Sequence, residues 1–306
     1  MAGAPAQREP TVAEAVRAQA GISWSRAKKL VADGRVTVDG EKCLDPAARV
    51  HPDAVIVVDA QGPRPRAGAL PESAIVFQDR DVVVVDKPAG MLSVADEAGN
   101  KDTLAVHLRT LLRRMGAGDA ALGVVHRLDR DTSGLMAFAR NAAAQRALAA
   151  QVRAHDVERV YRAIVHGAVE GPRRIESDLV LDRGDGLRGS HGHYRRAKGS
   201  APPDARHAVT NIAPLEALRG ATLVECRLET GRQHQIRIHL SELGHPLVGE
   251  RVYIRDYEGP RIAADRVMLH ARSLGFVHPR SGARVCFERE APEDLLATLA
   301  ALRRGA

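Results

Sequence analysis

Three stretches of this 306-residue chain hold residue types suited to covalent chemistry, the first being His126-Arg127-Leu128-Asp129-Arg130-Asp131-Thr132-Ser133-Gly134. It sets the Asp129 carboxylate between two arginines. Neighbouring cations lower a carboxylate's pKa and keep it ionised, as a nucleophile requires. Asp and Ser ahead of Gly are equally the ordinary residues of a turn. The second stretch is Glu229-Thr230-Gly231-Arg232-Gln233-His234-Gln235-Ile236-Arg237. A helix running from Arg232 puts Gln233 and Arg237 on one face and His234 on another. An arginine held by a helix can lock a buried carboxylate in a bidentate pair, and a solvated polar helix reads the same way. The third stretch, Arg159-Val160-Tyr161-Arg162-Ala163, reads as a strand. Tyr161 there could turn its ring toward an extruded base, or be a half-buried strand tyrosine.

Other chemistries find little support. His191 and His193 lie in a glycine-rich stretch without a carboxylate at ligand spacing, so no metal site is expected. The HxE and PCxxC signature of zinc deaminases is absent, as are a Walker A loop and GxGxxG.

The elements that must hold these stretches follow from punctuation and periodicity. Thr11 with Glu14 three residues on is a capping box opening a helix to Ala20. A second helix spans about Ser23 to Asp33, stopped by Gly34. Val36 to Val38 leads into Asp39-Gly40, a hairpin turn, and Ala54 to Val58 is a short strand. Residues 1–60 thus form a small α+β unit. Gln61-Gly62-Pro63-Arg64-Pro65-Arg66 opens a linker over 61–72. From 73 to 306 the pattern predicts strands at Val82–Val85, Leu122–Val125, Leu135–Ala139, Arg159–Val165, Glu176–Leu181 and Thr222–Leu228. Helices are predicted at Leu104–Met115, after Asn141, over Arg232–Leu243 and after Pro292. Strands and helices mix without strict alternation, so the fold class is α+β.

Composition supplies the partner. Against 38 Asp+Glu stand 45 Lys+Arg, a net charge of +7, which favours polyanions and nucleic acid first. The 44% hydrophobic content excludes wholesale disorder, and 3% aromatics argue against a single-strand stacking platform. Three scattered cysteines fit a reducing compartment. The N-terminal residues lack an apolar signal core, and no apolar run approaches the ~18 residues of a membrane helix. The expectation is a cytoplasmic protein without membrane partners. Residues 1–66 carry ten basic and eight acidic groups, whereas Arg183 to Arg206 alone carries six basic and two acidic. That segment reads as a solvated loop or as a flexible arm for phosphate through Arg195, Arg196 and Lys198.

Together these segments resemble the pseudouridine synthases of the ribosomal-large-subunit-A class. The likeness runs through Asp86–Gly90 (DKPAG), His126–Leu135 (HRLDRDTSGL), Tyr161 with Ala163, Thr230–Leu240 (TGRQHQIRIHL), Gly244–Gly249 (GHPLVG), and Leu269-His270-Ala271 with His278-Pro279. The N-terminal unit is similar to S-four-type RNA-binding modules, whose second helix, here with Arg26, Lys28 and Lys29, faces RNA. The chain departs from the pattern at Arg159, where many members have Lys, at Asp39 in place of Asn, and at Glu250 in place of Asp.

The resemblance implies a synthase fold with a mixed, largely antiparallel sheet flanked by helices. It implies isomerisation of uridine to pseudouridine in structured RNA, without a cofactor. The bond from uracil to the ribose breaks, the base turns over, and its carbon 5 rejoins the sugar. Asp129 would be the catalytic carboxylate, as nucleophile on the ribose or as base. Arg237 would pair with it, Tyr161 would stack on uracil, and His126 and Arg127 would hold the flipped RNA. Ribosomal RNA is favoured over transfer RNA, and a monomer is expected. Two alternatives predict differently. A uridine-excising glycosidase would release uracil and use a second carboxylate, Asp131 being the near one. A non-catalytic ribosome-assembly protein would not depend on Asp129.

Overall fold

The structure, a computed structural model, describes residues 9–32, 34–43, 45–59, 70–95, 100, 102–117, 122–184, 186–193 and 200–304. The chain divides into two compact units, Met1–Gly68 with Ala95–Lys101, and Ala69–Val94 with Asp102–Ala306. Arg195, Arg196, Lys198 and most of the expected linker lie outside the described residues.

In the first unit the Thr11 hydroxyl accepts the Glu14 N–H (3.1 Å) and the Glu14 carboxylate accepts the Thr11 N–H (2.6 Å), opening α1 (Val12–Ala20). Helix α2 (Trp24–Ala32) follows. Strands β1 (Val36–Val38) and β2 (Glu41–Lys42) are joined by Asp39-Gly40, both with positive φ, and β3 (Ile56–Val58) pairs with β1 on its other side. Val12, Val16, Leu30, Val31 and Val36 form the core.

The second unit is built on one 11-stranded sheet. Its strands are β4 (Ile75–Gln78), β5 (Val82–Lys87), β6 (Gly123–Val124), β7 (Ser133–Ala139), β8 (Glu158–His166), β9 (Arg173–Val180), β10 (Gly189–Ser190), β11 (Arg206–Leu218), β12 (Ala221–Leu228), β13 (Leu269–Val277) and β14 (Arg284–Glu288). The order is β10-β9-β11-β12-β8-β13-β7-β5-β4, with β14 on β13 and β6 on β7. Pairing is antiparallel except where β13 runs parallel to β7, His270 facing Ser133 and Ala271 facing Gly134. Two antiparallel halves therefore meet at that seam. Strand β7 is buried at every position, hence its unbroken apolar run. Helix α3 (Leu104–Arg114) is capped by Thr103, and α4 (Ala142–Ala154) by Asn141, whose Oδ1 accepts the Ala144 N–H (2.9 Å). Ala144 and Leu148 of α4 pack on Val82, Val84, Leu135, Ala137 and Phe276. Helix α5 (Gln235–Glu242) carries Arg237, and α6 (Glu293–Arg303) buries Leu295 and Leu299 against Ile164, Val248 and Met268. The mixed sheet with helices is the expected α+β class. Among the described residues no helix is long and apolar enough to cross a membrane.

The helix expected from Arg232 starts at Gln235 instead. His234 holds a left-handed conformation (φ 59°), and the buried Gln235 amide explains the late start. Its Oε1 accepts from Thr230 Oγ1 (2.8 Å) and the Arg232 N–H (2.9 Å), while its Nε2 donates to Val209 O (3.0 Å) and Thr210 Oγ1 (2.9 Å). Residues 230–234 are thereby stapled to β11 as a loop. In the second unit, strands β4, β10, β11, β13 and β14 add to those the periodicity predicts.

Candidate active site

A cleft of about 670 Å³ in the second unit takes its walls from the 124–132 loop, the end of α4, β8, and the 228–237 segment. Asp129, Tyr161 and Arg237 all line it, from stretches far apart in sequence. Five arginines line it too: Arg127, Arg153, Arg159, Arg232 and Arg237. Among the described lining residues Asp129 is the single carboxylate. The concave form and size suit a bound base with its sugar, and the surplus of cations suits a polyanion. Tyr161 is buried, and burial pushes its phenol up to about 12, so its hydroxyl stays neutral at physiological pH. The charge of Asp129 reaches Tyr161, His234 and Arg237.

The loop bearing Asp129 is held from behind at three points. Lys87, fully buried at the end of β5, donates to Pro88 O (2.9 Å), Met91 O (2.7 Å) and Arg130 O (2.8 Å). Burial brings its ammonium down to about 7, against the pull of Asp131 and Asp129 toward the charged form. Ser93 Oγ donates to Leu128 O (2.7 Å) and accepts the Leu128 N–H (3.0 Å). Gly134 closes the loop at the parallel seam with φ 111°. A Cβ there would lie 2.3 Å from Ala271 O, so only glycine lets the two strands meet. Beside it, Ser133 Oγ and His270 Nδ1 are hydrogen-bonded (3.0 Å).

Arg237 does not take Asp129 as its hydrogen-bonded partner. Its Nε and Nη2 donate to the two oxygens of buried Glu250 at 2.8 and 2.7 Å, and its guanidinium lies over the Tyr253 ring, 5.2 Å from the centroid. Glu250 Oε1 also accepts the Arg251, Val252 and Tyr253 N–H groups (3.0, 2.9 and 3.3 Å). Burial alone would raise the Glu250 pKa, but the Arg237 charge and these donors hold it below the ordinary value. Tyr253 Oη also bonds His234 Nδ1 (2.8 Å), whose pKa burial brings to about 4. The expected Asp129–Arg237 pair is therefore a charge interaction across the cleft, with Glu250 as the anchor.

Residues 81–242 match the RNA pseudouridylate synthase family, and residues 15–56 match the S4 domain. The chain belongs to the RNA pseudouridylate synthases. The ribosomal large subunit pseudouridine synthase D of Zymomonas mobilis is 38% identical over 290 residues, 90% of this chain and 87% of that protein. Its Pseudomonas aeruginosa counterpart is 37% identical over 296 residues, 92% and 88% of the two chains. In fold, the synthase is similar to the human RNA pseudouridylate synthase domain containing 4 protein, with a TM-score of 0.62 at 23% identity over 76% of this chain and 93% of that one.

The remaining expected residues of the synthase fall in different settings. His126 turns inward: its Nε2 accepts the Ala137 N–H (3.0 Å), and burial lowers its pKa to about 4. It forms the cleft wall as a neutral ring instead of presenting charge to RNA. Arg127 is exposed on that wall. On α2, Arg26 and Lys28 are exposed, Lys28 standing over the exposed Trp24 ring (5.1 Å), and Lys29 is half-buried. Arg183, at the head of the basic segment, is buried against Glu242 and Asp256, so it is not free for phosphate. Sequence reading missed Glu250, Tyr253 and Ser93 as site-building residues. Only Glu250 carried a signal, being an acid directly after the Gly244–Gly249 segment.

Proposed function

We propose that this synthase isomerises uridines of large-subunit ribosomal RNA, with Asp129 as its catalytic carboxylate. One observation carries the reading: the single carboxylate among the described lining residues shares the cleft with a buried tyrosine and five arginines. In this reading the extruded uracil lies against Tyr161, and Asp129 acts at the sugar. Extrusion costs a few kcal/mol, which backbone contacts must offset, and exposed Arg127 fills the space the base leaves. The product is an isomer of the substrate: the bond from N1 to the ribose is replaced by one from carbon 5, and the carbon-5 hydrogen is lost as N1 gains a proton. Among the described residues no second carboxylate lines the cleft, Asp131 included, which favours this over hydrolysis. The ribosomal substrate is supported by the names of the relatives matched over about nine-tenths of the chain. Residues 1–60 would grip RNA, 61–72 would link, and 73–306 would catalyse, in a cytoplasmic monomer.

The test is pseudouridine mapping of ribosomal and transfer RNA from a strain lacking the gene. Lost large-subunit sites should return with the wild-type chain and stay absent with Asp129→Ala, while RNA binding by that variant stays near wild type. Restoration by Asp129→Ala would refute the catalytic assignment, and loss confined to transfer RNA would refute the substrate.

A further inference from the structure

Three arginines are buried among the described residues: Arg159, Arg183 and Arg266. Arg183 faces Glu242 and Asp256, and Arg266 grips Asp294 at 2.5 and 2.8 Å. Arg159 faces no carboxylate among the described residues. It is 6% exposed, its hydrogen bond to protein is Nη2 to Glu229 O (3.1 Å), and its Nε has no acceptor. A buried guanidinium cannot shed its proton, so an unpaired one is costly until an anion arrives. Burial already draws its pKa down. The chain nevertheless makes room for it, because a Cβ on Gly231 would lie 2.3 Å from Arg159 Nη1.

Arg159 lines the same cleft as Asp129 and Tyr161. On β8 it stands two residues before Tyr161, on the same face of the strand and about 7 Å along it. With uracil against Tyr161, the sugar–phosphate passes that point. We propose that Arg159 binds substrate directly, its guanidinium receiving the non-bridging oxygens of the phosphodiester that flanks the target uridine. A uracil carbonyl would satisfy one N–H but leave the charge unmatched; a phosphate satisfies both. This inference rests on the function proposed above and adds a group that recognises the backbone instead of the base.

The test uses the full chain and a synthetic RNA hairpin containing a uridine mapped as above, with a single neutral methylphosphonate linkage on its 5′ or its 3′ side. Arg159→Gln should lower kcat/KM about 10- to 100-fold on the unmodified hairpin. One of the two neutral linkages should lower wild-type kcat/KM similarly and leave Arg159→Gln unaffected. Arg159→Lys should recover part of the loss. Gly231→Ala keeps the arginine but crowds its guanidinium, and should reproduce both the loss and the insensitivity; it serves if Arg159→Gln fails to fold. Two results overturn the inference: wild type indifferent to both neutral linkages, or losses from Arg159→Gln and the linkage that multiply. A wild-type chain that leaves every ribosomal uridine unmodified would instead overturn the function on which it rests.

Discussion

Glu250→Gln tests whether the anchor of Arg237 matters to the chemistry. The Glu250 side chain is fully buried and that of Arg237 is 11% exposed, so little water can replace what is lost. Glutamine keeps the shape and one acceptor but removes the negative charge. It also turns an NH2 toward either the guanidinium or the three backbone N–H groups that Glu250 accepts, donor against donor. Breaking a buried pair from one side costs about 3–5 kcal/mol, because the remaining charge is left uncompensated. An arginine shifted by about 1 Å costs roughly a further 100-fold in rate. Urea unfolding at pH 7 reads the first effect, and tritium release from RNA labelled at uridine carbon 5 reads the second. Adding Arg237→Met should restore much of the stability and none of the turnover. Since the folded-state pKa of Glu250 lies below 4.5, the pair stabilises above that value and its contribution fades as pH falls through the folded pKa. The deficit of the variant should therefore shrink in acid. A Glu250→Gln chain within about 0.5 kcal/mol of wild type, with normal tritium release, would refute the reasoning.

Three further perturbations test other parts of the chain. Gly134→Ala should destabilise by more than about 3 kcal/mol, since it combines a positive φ with a Cβ 2.3 Å from Ala271 O; an unchanged urea midpoint would contradict the seam geometry. Lys87 titrates near 7 when folded against 10.5 when unfolded, so between those values the unfolded chain binds the extra proton. Wild-type stability should accordingly rise by about 1.4 kcal/mol per pH unit relative to Lys87→Met, and parallel pH profiles would show that burial does not depress the Lys87 pKa. Replacing Arg26, Lys28 and Lys29 together by Gln should reduce the salt slope of RNA binding by about 2 and leave turnover at saturating RNA unchanged; an unaltered slope would mean that α2 does not meet phosphate.

The sequence announces the candidate site residues better than what surrounds them. Asp129, Tyr161 and Arg237 stand in segments whose spacing is distinctive, and Thr11, Asn141 and Asp39-Gly40 mark their caps and turn because those effects are local. Partners distant in sequence are hidden. Arg237 meets Glu250 thirteen residues away, across a loop no periodicity describes. Lys87 reads as the start of a turn, and only burial reveals it as the clamp on Arg130. Strand β13 escapes notice because Arg272 and Gly275 break its alternation and a bulge falls between Ala271 and Ser273. Strand β11 is masked by Pro214, tolerated where its register shifts. Arg159 looks like any strand arginine until its lack of a counter-charge among the described residues is visible.

The parallel seam also sets a clock. The loop with Asp129 leads into a strand whose parallel neighbour is more than 130 residues further along the chain. Loop closure over that span is slow, and the contact cannot form until β13 has been made. Ser133 has no His270, and Gly134 no Ala271, while the chain is still emerging. A partly synthesised chain therefore holds all of HRLDRDTSG yet cannot fix it in place until the residues of β13 have emerged. Truncations before residue 269 remove the seam altogether, so a shortened chain loses the fixed Asp129 loop without losing any residue in it.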